Sequence, residues 1–467
     1  MKRLFVIATL FSLGLLMSAC RSNENSPTAA QQPSVPAAEN NVAEPTLVAP
    51  DACDLVLVAH QGTGKTDREI IRLQKKIVAE TEPSPWIEQL GWNFIAKARE
   101  SFDPGYYKLA EQCAFCLEAH TPHCAAALLL RGHVLQNLHR FKEAEPLARE
   151  LVATRGLAYD YGLLGDVLME QGRLNEAVEA YQKMVDLKPD LQAYARIANV
   201  RWLKGDLSGA TEVMRLATGA ASPNAPEVAA WVNTRLAFFR FEQGDLTQAS
   251  ETCDAALGYQ GDYAPALLLQ GRLLLANGDD SGALEALRQA AKVNPLPDYQ
   301  WVLIEALQAS GLDAEAQQIE NSLTDKGAAA DPRTYALYLA TSGHSPELAL
   351  QLAKNEFTTR SDVFTHDAMA WALAANGRNE EAWQEMQSAL AEGTKDGRLY
   401  FHAAAIAAKA GHTDEAQAWL GKANGMAQTL LPSEQRQLVQ TAAQLGQVNR
   451  EDTATTTSVE TTFNSGN

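Results

Sequence analysis

Small apolar positions recur along this chain at a nearly fixed interval. Ala110, Ala144, Ala177, Ala210, Ala249, Ala283, Ala316, Ala349, Ala382 and Ala416 are separated by 34, 33, 33, 39, 34, 33, 33, 33 and 34 residues. The fullest interval reads Tyr161-x2-Leu164-Gly165-x2-Leu168, then Ala177-x3-Tyr181, then Pro189. Apolar residues three and four apart mark one buried face of a helix, so each interval predicts two helices. Gly165 in the first and Ala177 in the second are small where the two must approach. A larger residue at Ala177 would overpack by roughly 1–3 kcal/mol. Gly172 lies between the helices, where a positive φ is useful, and Pro189 stops the second helix. A period of this length means stacked units rather than one globular core.

The other intervals keep the phase and lose some of the letters. Gly205, Gly244, Gly278, Gly311, Gly343, Gly377 and Gly411 occupy the turn of Gly172. Gly132 and Gly271 match the first small position, and Pro122 and Pro295 the closing proline. Asp206, Asp245, Asp279 and Asp313 follow the turn, where a carboxylate can cap the second helix. These residues closely resemble the tetratricopeptide repeat. The resemblance runs from about Ser84 to Leu430 and implies an all-α fold, a right-handed α-solenoid of about ten tetratricopeptide-like helix–turn–helix repeats.

The phase divides the chain. Units 1–4 span residues 84–218 and units 5–10 span 230–430. Between them, at 219–229, the one long interval carries its surplus in Gly219–Pro226, a run of small residues with two prolines. This segment is either a hinge or a plain surface loop. Capping helices are expected at 67–83 and 431–446, as open solenoids need. Residues 20–66 read as a disordered tether and 447–467 as a disordered tail, because both are polar and poor in apolar residues.

Residues 1–19 read as a signal peptide: Lys2 and Arg3, an apolar run Leu4–Met17, then small residues. Leu16-Met17-Ser18-Ala19-Cys20 resembles the lipobox of bacterial lipoproteins, which implies cleavage before Cys20 and lipidation of that residue; plain secretion is the other reading. Arg21 rather than aspartate follows it, which by the same resemblance favours the outer membrane, facing the periplasm.

Composition narrows the partners. The formal charge is −18, and an acidic solenoid is a poor candidate for nucleic acid or an anionic lipid surface. Hydrophobic residues make up 46% of the chain, enough for a continuous core.

Two clusters could carry chemistry. Ala59-His60-Gln61-Gly62-Thr63-Gly64-Lys65-Thr66 matches a permissive phosphate-loop pattern, in which Lys65 would reach a terminal phosphate. The helical repeats that follow leave no room for the parallel sheet such a loop serves, so a nucleotide is not expected and the segment reads as a linker capping a helix. Cys113, Cys116 and Cys124, with His120 and His123, suggest a disulfide or a metal site by spacing. Buried free thiols are the third reading. No nucleophile–base arrangement stands out, so no enzyme activity, cofactor or resident metal is assigned.

In tetratricopeptide proteins the first helices line the concave face. The resemblance places Trp202, Trp231, Phe238, Phe241, Arg272, Trp301, Glu305, Tyr338, Trp371 and Phe401 there, a concentration of rings in a chain only 7% aromatic. Such a stripe suits a peptide or protein partner, unless the rings only fill a tight superhelix. The resemblance implies a non-enzymatic, lipid-anchored interaction scaffold of the bacterial cell envelope. The alternative is a metal- or redox-responsive envelope protein using Cys113, Cys116 and Cys124.

Overall fold

The computed structural model describes residues 51–101 and 103–446. The signal segment, Cys20, most of the tether and the tail lie outside them. Among the described residues there are twenty-two α-helices, from Ala52–Val56 to Thr413–Asn424, then a 3-10 turn at Ala427–Thr429 and a last helix over 432–446. They form two compact bodies, 51–134 and 135–446. The boundary lies at Leu135, inside the first helix of unit 2, and not at the 219–229 segment.

In the smaller body the tether reading fails from residue 51 onward. Ala52–Val56 is helical, and a disulfide joins Cys53 to Cys116 on the helix Gly105–His120. The capping helix runs Lys65–Ala79. Its entry is fixed by Asp67, which accepts from the Gly64 N–H at 2.9 Å and meets Lys97 Nζ at 2.8 Å and His60 Nε2 at 2.9 Å.

The ten expected helix pairs are all present, from Ser84–Ser101 with Gly105–His120 to Gly397–Ala410 with Thr413–Asn424. All ten phase alanines are at most 2% exposed. A Cβ on Gly165 would collide with the ring of Tyr181, and one on Gly271 with Leu287. Both glycines therefore let the two helices of their unit touch. The turn glycines from Gly172 to Gly411 all have φ between +71° and +84°. Unit 2 has no glycine at this turn; His139 takes the left-handed conformation instead, at φ +57°. Asp206, Asp245 and Asp279 cap their second helices through the N–H groups of Gly209, Gln248 and Gly282. Asp313 does not, because it is already the first helical residue after Leu312.

The long interval has a different origin from the one expected. Residues 220–225 form the connection, and the helix Pro226–Glu242 begins inside the segment read as loop or hinge. That helix has 17 residues where most first helices have 13 or 14, so much of the surplus is an extra helical turn.

Within the larger body the stack coils tightly enough to meet itself. Contacts recur between residues 187 to 193 apart, between five and six units along the chain. The Ser361 N–H donates to the Glu170 carbonyl at 3.1 Å, and Ser361 Oγ to that of Gln171 at 2.8 Å. Thr394 Oγ1 donates to the Leu203 carbonyl at 2.6 Å, Trp202 Nε1–H to that of Lys395 at 2.7 Å, and Lys204 pairs with Glu392 at 2.8 Å. The turns holding Gly172 and Gly205 thus double as a seam between successive coils. This seam generates a comparison. Gly172→Ala should lose about 1–2 kcal/mol from its left-handed backbone, and a further 1–3 kcal/mol because the new methyl group strikes the Ser361 carbonyl. Gly278→Ala, at φ +77° with open space around it, should show only the first loss. Denaturant midpoints of the two variants check this; equal shifts would mean that the seam contributes nothing.

Candidate functional site

Because the coil closes, its concave face is mostly interior. Trp202, Trp231, Phe241, Trp301, Tyr338, Trp371 and Phe401 are all buried, and so is Glu305. The rings pack on one another: Trp202 on Phe238 and, across the coil, on Phe364 at 5.4 Å; Trp301 on Tyr338; Trp371 on Phe401 and His402. The Phe241 ring lies in the core beside Cys253. Much of the expected groove is therefore core.

The chain's own C-terminal segment covers another part. Arg272 donates to the Thr429 carbonyl at 2.7 Å, and Glu305 accepts from the Ser433 N–H at 2.9 Å and from its hydroxyl. Arg398, stacked over Trp301 at 4.6 Å, pairs with Glu434, and Gln437 Nε2 donates to the Thr341 carbonyl at 3.0 Å. The 432–446 helix lies against first helices of units 7, 8 and 10.

Among the described residues a cavity of about 290 Å³ lies between the two coils, and it takes in Trp202, Phe238 and Arg272 of the ten groove residues. Its other walls include Asn199, Arg235, Arg333, Phe364 and Arg398. Arg235 was missed by the sequence reading, although it precedes Phe238 by one helical turn. Its guanidinium lies 4.7 Å from the Phe238 ring centre, 5.1 Å from Phe239 and 5.7 Å from Trp202. Asn199 Oδ1, at 3.5 Å, is too distant for a strong hydrogen bond. Burial lowers its pKa to about 10, against the pull of Glu242.

The seam above this cavity is a cluster of buried charges. Arg333 pairs with Asp362 at 3.2 Å, and Arg360 approaches Glu170 at 3.7 Å. Desolvation raises Glu170 to about 7 against the pull of Arg360. Burial, reinforced by Arg360 and Arg333, holds His139 well below its ordinary range.

The remaining candidates resolve locally. The apolar residues before the phosphate-loop pattern, Leu55 and Val56, are helical. Asp67 occupies the N–H of Gly64 that an anion would use, while Lys65 points outward, exposed. Cys116 is bonded to Cys53, 63 residues away, and not to Cys113 or Cys124, which are free along with Cys253. His120 stands with the bridged pair, all three ligand atoms within 4.8 Å, but the two sulfurs are committed to each other. The cysteine cluster is thus not assembled as the spacing suggested, and the metal- or redox-responsive alternative loses its ligand set.

A solenoid of helix pairs around a concave cavity defines a class, the helical-repeat interaction scaffolds. Residues 162–226, 240–294 and 268–331 match the family described as tetratricopeptide repeat, so the chain carries tetratricopeptide repeats. No curated protein matches the sequence. Among solved structures it is similar to PilF of Pseudomonas aeruginosa, with 20% identity over 46% of this chain and 95% of that one, TM-score 0.35. It is similar to YrrB, described as a TPR protein with an unusual peptide-binding site, with 14% identity over 42% and 97%, TM-score 0.30. It is also similar to the human IFIT1 dimer with PPP-AAAA, with 12% identity over 78% and 96%, TM-score 0.44.

Two measurements follow from this geometry. Thiol titration of the denatured, non-reduced Cys20→Ala variant should count Cys113, Cys124 and Cys253 and, after reduction, two more sulfurs from the Cys53–Cys116 bridge. The raised Glu170 carboxyl favours the native state below its ordinary pKa of 4.5, and that contribution is lost as pH rises through about 7. Stability should fall across this window, and Glu170→Gln should flatten the fall. An unchanged profile in the variant would place the titration elsewhere.

Proposed function

We propose that the protein is a non-enzymatic interaction scaffold, anchored by lipid on Cys20 in the bacterial envelope, and that a segment of a protein partner enters the cavity between its coils. The cavity carries this reading: it lies among the first helices and combines Trp202 and Phe238 with charged side chains. Clefts with an apolar lining and a few placed polar groups are the usual binding sites of proteins.

The export half of the proposal is supported by the sequence from Lys2 to Cys20 and by the Cys53–Cys116 bridge, since disulfides persist in oxidising compartments. Outer-membrane placement rests on Arg21. The net charge of −18 favours protein partners over nucleic acid.

Two experiments test the halves separately. Cys20→Ala should move the protein from the membrane to the soluble fraction of lysed cells and abolish labelling by a radiolabelled fatty acid; retention of both would end the lipoprotein reading. A photoreactive residue replacing Phe238 should give a discrete adduct in intact cells, whereas the same residue at the exposed Leu216 should give none. Equal capture from both positions, or none from Phe238, would count against the cavity as the docking site.

A further inference from the structure

The fold assembles a set of metal-ligating side chains that sequence spacing did not point to. In the body 51–134, Cys53, Cys116 and His120 each bring a ligand atom to within 4.8 Å of the others. Cys116 and His120 lie four residues apart at the end of the helix Gly105–His120, so they share one face. Cys53 arrives on the five-residue helix Ala52–Val56, which is too short to be stable by itself and so keeps room to adjust. His120 Nδ1 pairs with the Cys116 carbonyl at 2.8 Å. A carbonyl only accepts, so in the neutral ring Nδ1 carries the proton and Nε2 the lone pair. Metal-bound histidines are commonly oriented in this way through their second nitrogen. The neighbouring thiols stand outside the set. Cys113 faces the helix contact at Gly91, where burial holds its thiol well above the ordinary range. The Cys124 sulfur accepts from the Ala127 N–H at 3.4 Å.

We infer that, once the Cys53–Cys116 bridge is reduced, Cys53, Cys116 and His120 form a zinc site whose fourth position is left to water. In the bridged protein the two sulfurs hold each other. A dithiol reductant gives the bridge two electrons and two protons and itself closes to a disulfide; the metal then displaces the two thiol protons. Two thiolates and an imidazole suit zinc, and not the oxygen-seeking calcium or magnesium. Zinc–sulfur bonds of about 2.3 Å set the sulfurs about 3.8 Å apart in a tetrahedral site, a separation that rotation at Cys53 on its short helix can supply. Bridge and metal both tie the Ala52–Val56 segment to the second helix of unit 1. They use the same sulfurs, so they exclude each other. A chain whose thiols are still reduced would hold its N-terminal body by metal until the bridge forms.

The test uses the purified Cys20→Ala protein, reduced with a phosphine that is then removed without air. Competition with a chromophoric chelator should show one zinc ion bound per reduced chain, and cadmium should give the ultraviolet charge-transfer band of metal-bound thiolates. The bridged protein should show neither. His120→Ala, at an exposed position, should weaken zinc binding at least about tenfold. Cys53→Ser should weaken it further, while Cys113→Ala and Cys124→Ala should leave it unchanged. Zinc should also raise the melting midpoint of the reduced protein, by a shift that grows with metal concentration, and leave that of the bridged protein in place. Equal binding by the bridged protein, binding unchanged in His120→Ala, or no zinc taken up after reduction overturns the inference. Binding lost in Cys124→Ala would move the metal to the cluster that spacing suggested and overturns it as well.

Discussion

The distance between two helices of one unit governs everything larger in this protein. Ala177 and its nine equivalents are buried to the last few per cent, and Gly165 and Gly271 have no room for even one more carbon. Close pairing of this kind fixes how far each unit rotates on the one before. Summed over five to six units, that rotation brings the turn at Gly172 against Ser361 and the turn at Gly205 against Gly393. The seam is a property of the repeat geometry, and the cavity is what the seam encloses.

The same closeness explains why aromatic rings and charges share the interior. In an open groove Trp202 and Phe238 would face solvent; here Trp202 stacks on Phe364 from the next coil and donates to a carbonyl there. Buried polar groups need partners, and the first-helix ladder supplies them pair by pair: Arg196 with Asp166, His402 with Asp367, Trp371 with Thr341. Arg235 instead meets the rings of Trp202, Phe238 and Phe239 and a distant amide oxygen of Asn199.

How much of this was readable beforehand depended on distance along the chain. The alanines, the turn glycines and the helix pairs follow from local periodicity, and even His139 falls at the phase position where a glycine was due. Asp313 misled because Leu312 takes the place after the turn glycine, which leaves the aspartate one residue later, inside the helix. The Cys53–Cys116 bridge was out of reach, since Cys53 precedes the first repeat and has none to phase it. The ring positions were assigned to the right face, but whether that face is a groove or a core depends on contacts some 190 residues apart, for which a single sequence carries no periodic signal. Arg235 was readable in principle, since it precedes Phe238 by one helical turn.

Ordinary solenoids are modular: each unit touches only its neighbours, so units can be added or removed with modest effect. The bonds from Ser361, Thr394 and Lys395 back to the turns after Glu170 and Trp202 remove that freedom. Deleting one unit between the partners would carry every later turn one place out of register, and the seam would have to be rebuilt along its whole length. The number of repeats in this chain is therefore a structural constant, in the way that strand number is for a closed barrel, and its lineage should vary by substitution far more readily than by gain or loss of a unit.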